Sequence, residues 1–366
     1  MFKKLTVKSH RGSYDVEIGY QVRASALNPE TDFLIIDKTV YEIFSLLFFR
    51  HPEDKIYLLE AKEENKTIDK CLEIVDELVA KGFKKDNRLF AIGGGITQDV
   101  SGFVASTLYR GVEWHFMPTT LLAQADSCIG SKTSINYGNI KNLLGTFYPP
   151  TKIYSCAEFL ATLSEDHIKS GIGEMLHYFL LDDMKAAIEL MYFYDDIMHG
   201  SYYFLIEFST LSLEIKKKMV EKDEFDTNQR RVFNYGHTFG HAIESITNYE
   251  VSHGQAVTLG MDIANFVSYK LGFIHESLYQ ALHGIIEKNI PDVTLEEDEI
   301  DEYMNLLSKD KKNVGNSVTC ILLKGAQTPD VVKIKNDDKF KKIIQEYFIK
   351  DEESEESEET DEHSEE

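Results

Sequence analysis

Glu174, His237, His241 and His253 are the side chains of this sequence best suited to hold a metal ion. Glu174 lies in Gly171-Ile172-Gly173-Glu174-Met175-Leu176-His177, inside a helical pattern. His237 and His241 are four residues apart and so share one face of a helix. His253 follows in Val251-Ser252-His253-Gly254-Gln255. One carboxylate with two imidazoles is the ligand set of an open catalytic zinc site, which keeps positions for substrate hydroxyls. The H-E-x-x-H pattern of zinc peptidases is not met, because Thr238 stands where its glutamate base would be. A lone histidine is more often a packed or capping residue; three of them with an intrahelical glutamate tilt the balance toward a metal.

A second constellation is Gly93-Gly94-Gly95-Ile96-Thr97-Gln98-Asp99, between an apolar run and a helical pattern. Glycines at such a junction let backbone N–H groups approach a diphosphate at the positive end of a helix. The spacing is not G-x-G-x-x-G, and a tight strand-to-helix turn is an equally good local reading. Asp37, just after an apolar run, could accept hydrogen bonds from a ribose or cap a helix. Lys132, Lys141, Lys216, Arg230, Lys311 and Lys312 recur in and around these segments. In an acidic chain such cations mark an anionic substrate, since carboxylate and phosphate are held by Arg forks and Lys point charges. For Lys216-Lys217-Lys218, a solvated helix face is the preferred local reading.

These groups need a frame to hold them. Phe33-Leu34-Ile35-Ile36, Ile56-Tyr57-Leu58-Leu59 and Arg88-Leu89-Phe90-Ala91-Ile92 read as buried strands, with helices predicted over 40–50 and 67–81. That alternation predicts a doubly wound parallel sheet. From Ser164 onward the pattern turns to a 3.6-residue period, with Ser164, Glu165 and Asp166 as a capped helix start. Further helices are predicted over 203–220, 236–247, 254–271 and 275–288.

The 366 residues carry 39 Lys and Arg against 62 Asp and Glu, a net charge of −23. Eleven of those carboxylates fall in the last sixteen residues, which contain no Lys or Arg. An acidic surface argues against nucleic acid as a partner, because phosphate backbones require clustered cations. Cys71, Cys128, Cys156 and Cys320 are widely spaced, with no C-x-x-C pair, so no disulfide framework or cysteine zinc site is expected. No apolar run approaches a membrane span and no signal peptide is recognisable, so a soluble, cytoplasmic protein is expected.

The sequence resembles the 3-dehydroquinate synthases and, more broadly, the sugar phosphate cyclases. The matching blocks begin with Gly93-Gly94-Gly95 and Asp99, Arg110-Gly111, and Pro118-Thr119-Thr120-Leu121-Leu122-Ala123-Gln124-Ala125-Asp126-Ser127. They continue through Lys132-Thr133, Lys141-Asn142, Phe147-Tyr148, and Ser170-Gly171 with Glu174. The last are Asn234-Tyr235-Gly236-His237-Thr238-Phe239-Gly240-His241-Ala242-Ile243-Glu244, His253-Gly254 and Asp310-Lys311-Lys312. Order and spacing follow the family from residue 93 to residue 312.

The resemblance implies an α/β NAD-binding domain over residues 1–155, an all-α metal- and substrate-binding domain over 156–350, and a disordered acidic tail over 351–366. It implies that Asp37, Glu63, Lys66, Gly94, Gly95, Asp99, Thr119, Thr120, Lys141, Phe159, Thr162 and Leu163 surround NAD, together with Asp126 and Lys132. Glu174, His237 and His253 would bind a divalent metal, zinc or cobalt. Asp126, Lys132, Asn142, Lys216, Arg230, Asn234, His241 and one of Lys311 or Lys312 would hold the substrate, with Arg110 reaching its phosphate across a homodimer interface. The implied reaction turns a 3-deoxy-heptulosonate 7-phosphate, or a close relative, into a carbocycle. Transient oxidation by NAD, elimination of phosphate and an intramolecular aldol closure carry it, on the shikimate route to aromatic amino acids. The alternatives are a cyclase for another sugar phosphate, such as a heptulose 7-phosphate, and an NAD-dependent metal polyol dehydrogenase.

Two positions depart from the family pattern. His177 stands three residues after Glu174, where the family has lysine, and Gly130-Ser131-Lys132 replaces Gly-Gly-Lys. Residues 174 and 177 share a helix face, so the first change falls near metal and substrate. His177 is expected to be a substrate-shell residue tuned to a different hydroxyl pattern.

Overall fold

The apolar runs of the first half become neighbouring strands of one sheet. The structure, a computed structural model, describes residues 2–349 other than 23, 139, 228, 310–312 and 314; Lys311, Lys312 and the acidic tail lie outside the described residues. The strands of the first half are β1 (Phe2–Ser9), β2 (Gly12–Gly19), β3 (Asp32–Asp37), β4 (Ile56–Leu59), β5 (Arg88–Gly93), β6 (Trp114–Pro118), β7 (Lys132–Tyr137), β8 (Ile140–Phe147) and β9 (Lys152–Cys156). Seven of them form a sheet in the order β1-β2-β9-β6-β5-β3-β4, parallel throughout except for the β1–β2 hairpin. β7 and β8 pair separately as an antiparallel hairpin.

The helices in chain order are α1 (Lys38–Ile43), α2 (Ile68–Ala80), α3 (Gly95–Thr107), α4 (Glu165–Asp182), α5 (Met184–Tyr192), α6 (Tyr194–Met198), α7 (Tyr203–Val220), α8 (His237–Ile246), α9 (His253–Lys270), α10 (Glu276–Ile286), α11 (Glu297–Ser308) and α12 (Asp338–Phe348). The described residues fall into two compact units: those up to Tyr178 with Tyr192–Arg230, and Phe179–Met191 with those from Arg231 to Ile349.

In the first unit, Phe33, Leu34, Ile35 and Ile36 are all buried, as a parallel strand covered on both faces requires. Leu34, Ile36, Phe90, Ile92, Met117 and Phe159 belong to one apolar cluster. At the opposite end of β3, buried Asp32 accepts two hydrogen bonds from Arg88, at 2.9 and 2.6 Å, so its charge is compensated. The helix predicted over 40–50 stops at Ile43 and tightens into a 3₁₀ turn at Ser45–Leu47. All four cysteines are free and buried.

Among the described residues, the second unit is helical apart from one antiparallel hairpin, β10 (Ser317–Leu323) with β11 (Pro329–Lys335). Its centre is α9, buried along nearly its whole length. α8 approaches it so closely that a Cβ at Gly260 would lie 2.1 Å from the carbonyl oxygen of Gly236. Only glycine permits that backbone contact. No described helix is long and apolar enough to cross a membrane.

Candidate functional site

In the first unit, most residues expected around NAD stand at the carboxyl ends of the parallel strands, where ligands of open α/β sheets bind. Asp37 ends β3, Gly93 ends β5 and Gly94 follows it, Thr119 and Thr120 follow β6, and Phe159, Thr162 and Leu163 follow β9. The Thr119 amide donates to the Gly93 carbonyl at 3.0 Å, tying the tips of β5 and β6 together. A Cβ at Gly94 would come within 2.9 Å of the Thr120 methyl group, so the turn into α3 is closed to any larger residue. Gly94 caps α3 without a side-chain hydrogen bond, so the first helical N–H groups receive no capping side chain. Of the two local readings of Asp37, the helix cap is realised: its Oδ1 accepts from the Thr39 amide at 2.9 Å, and burial pushes its carboxyl up from the ordinary value. Phe159 packs edge-on to Phe44, ring centroids 4.9 Å apart, as a core residue.

A polar cluster joins three further expected residues. Lys66 is buried, and its Nζ lies 2.6 Å from Asp99 Oδ2 and 2.7 Å from Asn142 Oδ1. Ser134, not anticipated from the sequence, donates its amide and hydroxyl to Asp99 at 2.9 and 3.1 Å. Burial raises the Asp99 carboxyl against the pull of Lys66 and Ser134. Glu63 accepts from the Asn136 side chain at 2.7 Å, and Asn136 Oδ1 accepts from the Asn142 backbone amide at 2.9 Å. Lys141 and Asn142 are exposed on β8.

Lys132 is half-exposed and pairs with Asp226 at 2.6 Å. Beside it, the Ser131 hydroxyl donates to Glu224 at 2.5 Å. Arg230 is buried; its amide donates to Asp223 at 3.1 Å and its guanidinium to the Glu224 carbonyl at 3.1 Å. The segment 223–230 thus tethers both cations. Arg110 is exposed, with Tyr109, Arg110 and Gly111 all at positive φ (51°, 65° and 113°). Two consecutive non-glycine residues in that region make it a strained turn.

A largely buried polar set surrounds Asp126, which sits in the π-helical turn Ala123–Ser127. Lys216 reaches it from α7, its Nζ 2.7 Å from both the carbonyl oxygen and Oδ1 of Asp126. The Tyr178 hydroxyl, from α4, also donates to Oδ1. Burial raises the Asp126 carboxyl, but Lys216 and Tyr178 outweigh it and bring it down to about 2. Burial in turn lowers the Lys216 ammonium from its usual value, which Asp126 opposes. Next along α4, His177 is 1% exposed, its Nδ1 3.7 Å from Glu174 Oε2. Its ring is tilted against that of Tyr178, centroids 4.7 Å apart. Sequence reasoning missed Tyr178, although its place beside His177 on a helix already expected to carry the site was a usable signal.

The second unit brings the histidines together. His237 and His241 come from α8 and His253 opens α9; their ring centroids are 5.5 to 5.7 Å apart in every pairing. His241, Glu244 and His253 each offer a ligand atom, all within 4.8 Å of one another. Glu244 was quoted in the matching blocks but given no role, and it accepts from His253 Nδ1 at 3.2 Å. Asn234 donates to the Arg231 carbonyl at 2.9 Å.

Comparison with known proteins points one way. The family profile for the 3-dehydroquinate synthase N-terminal region matches residues 56–170, and that for the C-terminal region matches residues 171–313. A 3-dehydroquinate synthase of Alkaliphilus oremlandii is 37% identical over 301 residues, covering 80% of this chain and 82% of that protein. One of Clostridium tetani is 34% identical over 317 residues, covering 86% and 85%. Among solved structures, a 2-deoxy-scyllo-inosose synthase complexed with carbaglucose-6-phosphate, NAD+ and Co2+ is similar with a TM-score of 0.81. It is 22% identical, covering 94% of this chain and 99% of that one, a likeness of fold.

Proposed function

Because the chain belongs to the 3-dehydroquinate synthase family, we propose that it closes a 3-deoxy-heptulosonate 7-phosphate into a carbocycle, with elimination of phosphate and an intramolecular aldol step. The observation that carries this reading is the gathering of His237, His241 and His253, three imidazoles ready to serve a metal and the hydroxyls bound to it. Glu174, His237 and His253 would hold the ion, and a carboxylate with two imidazoles suits zinc or cobalt. The uncapped start of α3 suits a dinucleotide diphosphate. When bound, NAD supplies a hydride acceptor restored within the same turnover, and the metal supplies Lewis acidity toward substrate hydroxyls.

The chain's own contribution is position and charge. Asp37, Glu63, Lys66, Gly94, Gly95, Asp99, Thr119, Thr120, Lys141, Thr162 and Leu163 form the NAD surface, with the ring of Phe159 in the core beneath it. Lys132, Asn142, Asn234 and His241 take the phosphate and neighbouring hydroxyls, with Arg110 supplied by a second copy in a homodimer. Lys216 and Arg230 take the carboxylate side, with Asp126 facing the ring hydroxyls. Cations already anchored to Asp226, Asp126 and the segment 223–230 need little reorganisation when substrate arrives.

A second reading, a cyclase for a heptulose 7-phosphate without the carboxylate, is favoured by His177. Where the family has lysine, this buried imidazole lies 3.7 Å from Glu174 and cannot supply a permanent cation. The test is incubation of the enzyme, NAD and zinc with each sugar phosphate, following phosphate and the absorbance of NADH together. Phosphate release without accumulation of NADH is expected. Stoichiometric NADH without phosphate release would refute the cyclase and indicate a polyol dehydrogenase. Turnover of the heptulose 7-phosphate alone would establish the second reading.

A further inference from the structure

We propose that Glu244 is a positioning residue of the metal centre: its carboxylate fixes the tautomer and orientation of His253, so that Nε2 of that ring is the ligand atom. This rests on the reading of the centre given above.

The local geometry follows from the sequence of the helix pair. On α8, residues 237, 241 and 244 recur at i, i+4 and i+7, one continuous face. After α8, Asn248 and Tyr249 adopt positive φ (49° and 63°), and the chain reverses. Ser252 then caps α9, so that His253 is its first residue and comes to face the end of α8. Glu244 Oε2 and His253 Nδ1 meet at 3.2 Å, with the Glu244 side chain 15% exposed.

An ionised carboxylate can only accept a hydrogen bond, so Nδ1 of His253 must carry the proton. In a neutral imidazole the lone pair then sits on Nε2, which becomes the atom available to a metal. His237 is arranged in the same way by a different partner: its Nδ1 lies 3.2 Å from the Tyr235 carbonyl oxygen, which also only accepts. Tyr235 is itself locked, fully buried with its hydroxyl 2.6 Å from Asn265 Oδ1. Two imidazoles are therefore set to the same tautomer, one by backbone and the other by a replaceable side chain. A carboxylate behind a histidine also raises the basicity of the ligating nitrogen.

The competing possibility is that Glu244 itself enters the coordination sphere, with His241 and His253. The two arrangements differ in an observable that does not depend on turnover. Cobalt is titrated into metal-free wild-type enzyme, Glu244→Gln and Glu244→Ala, and its d–d absorption bands are recorded up to saturation. The melting temperature of each metal-free protein is measured alongside. A positioning role predicts that Glu244→Ala raises the cobalt Kd by about 10- to 100-fold. Glu244→Gln, which keeps an acceptor oxygen, should raise it less. The bands at saturation and the metal-free melting temperatures should match the wild type. Different bands at saturation would make Glu244 a direct ligand and overturn the inference, as would unchanged affinity in both variants. A wild type that binds no cobalt would overturn the metal centre, and this inference with it, whereas wild-type binding with unaffected variants overturns the inference alone.

Discussion

Replacing Tyr178 by phenylalanine removes a single oxygen atom and probes a largely buried charge of the first unit, that of Asp126. In the wild type, burial raises the Asp126 carboxyl, but Lys216 and the Tyr178 hydroxyl bring it from 3.8 down to about 2. A carboxyl so depressed contributes roughly 2 kcal/mol of stability at neutral pH. Loss of one hydrogen bond to a charged group costs about 1.5–3 kcal/mol. For a unit of this size, each kcal/mol corresponds to roughly 2–4 °C of melting temperature. Tyr178→Phe should therefore melt about 4–8 °C lower at pH 7. The pH dependence has a definite sign. A depressed carboxyl stabilises above its unfolded value, and that stabilisation is lost as pH falls through its folded value. The window runs from about 4 down to about 2. In that window Asp126 takes up a proton in both proteins, so the deficit of the variant should shrink. Thermal unfolding followed by circular dichroism at pH 7, 5 and 3 measures this directly. A deficit that is the same at all three values would mean that the tyrosine contributes packing alone. No deficit at pH 7 would mean that the Asp126 charge is held by Lys216 without it.

Two further outcomes are expected. Dialysis against a chelator should abolish phosphate release, and zinc or cobalt should restore it; undiminished turnover by the metal-free enzyme would remove the metal from the reaction. His177→Lys should shift the ratio of kcat/KM between carboxylated and uncarboxylated sugar phosphates by about tenfold, the worth of one ionic contact of 1.4 kcal/mol. An unchanged ratio with only a lower melting temperature would make His177 a packing residue.

What the sequence made legible follows from how each element is buried. Phe33–Ile36 is an unbroken apolar run because both faces of β3 are covered, and such runs are easy to read. α7 spans the predicted range because its apolar period is regular. β8, by contrast, is exposed through Gly145 and only half-buried beyond, and β11 alternates half-buried with exposed residues, so neither carries a strong signal. Lys216 shows the limit most clearly. Beside Lys217 and Lys218 it reads as part of a solvated face, yet it is buried while Lys218 is exposed. Successive helical residues are about 100° apart, so one of three neighbouring lysines can point inward. What permits its burial is Asp126, 90 residues earlier, and no local pattern records that partner. Tyr178 and Glu244 were missed for the same reason: their roles consist of contacts with Asp126 and His253, not of motifs.

The charge pattern also changes meaning once the partners are known. Sequence reasoning took cations in an acidic protein as markers of an anionic substrate, as though they offered free positive charge. Of those cations, Lys132 and Lys216 instead each face a carboxylate, in Asp226 and Asp126. Local charge is then near neutral at each pair, and selectivity must come from geometry. The pairs are not equivalent. Lys132 is 48% exposed, and a solvent-facing pair contributes about 0–1 kcal/mol, so exchanging Asp226 for a substrate phosphate costs little. Lys216 is 6% exposed, and withdrawing it would leave the Asp126 charge buried without its cation, at a cost of about 3–5 kcal/mol. In the proposed reaction, Lys132 is therefore the contact free to follow the phosphate as it departs. Lys216 stays fixed, holding Asp126 in its charged form throughout.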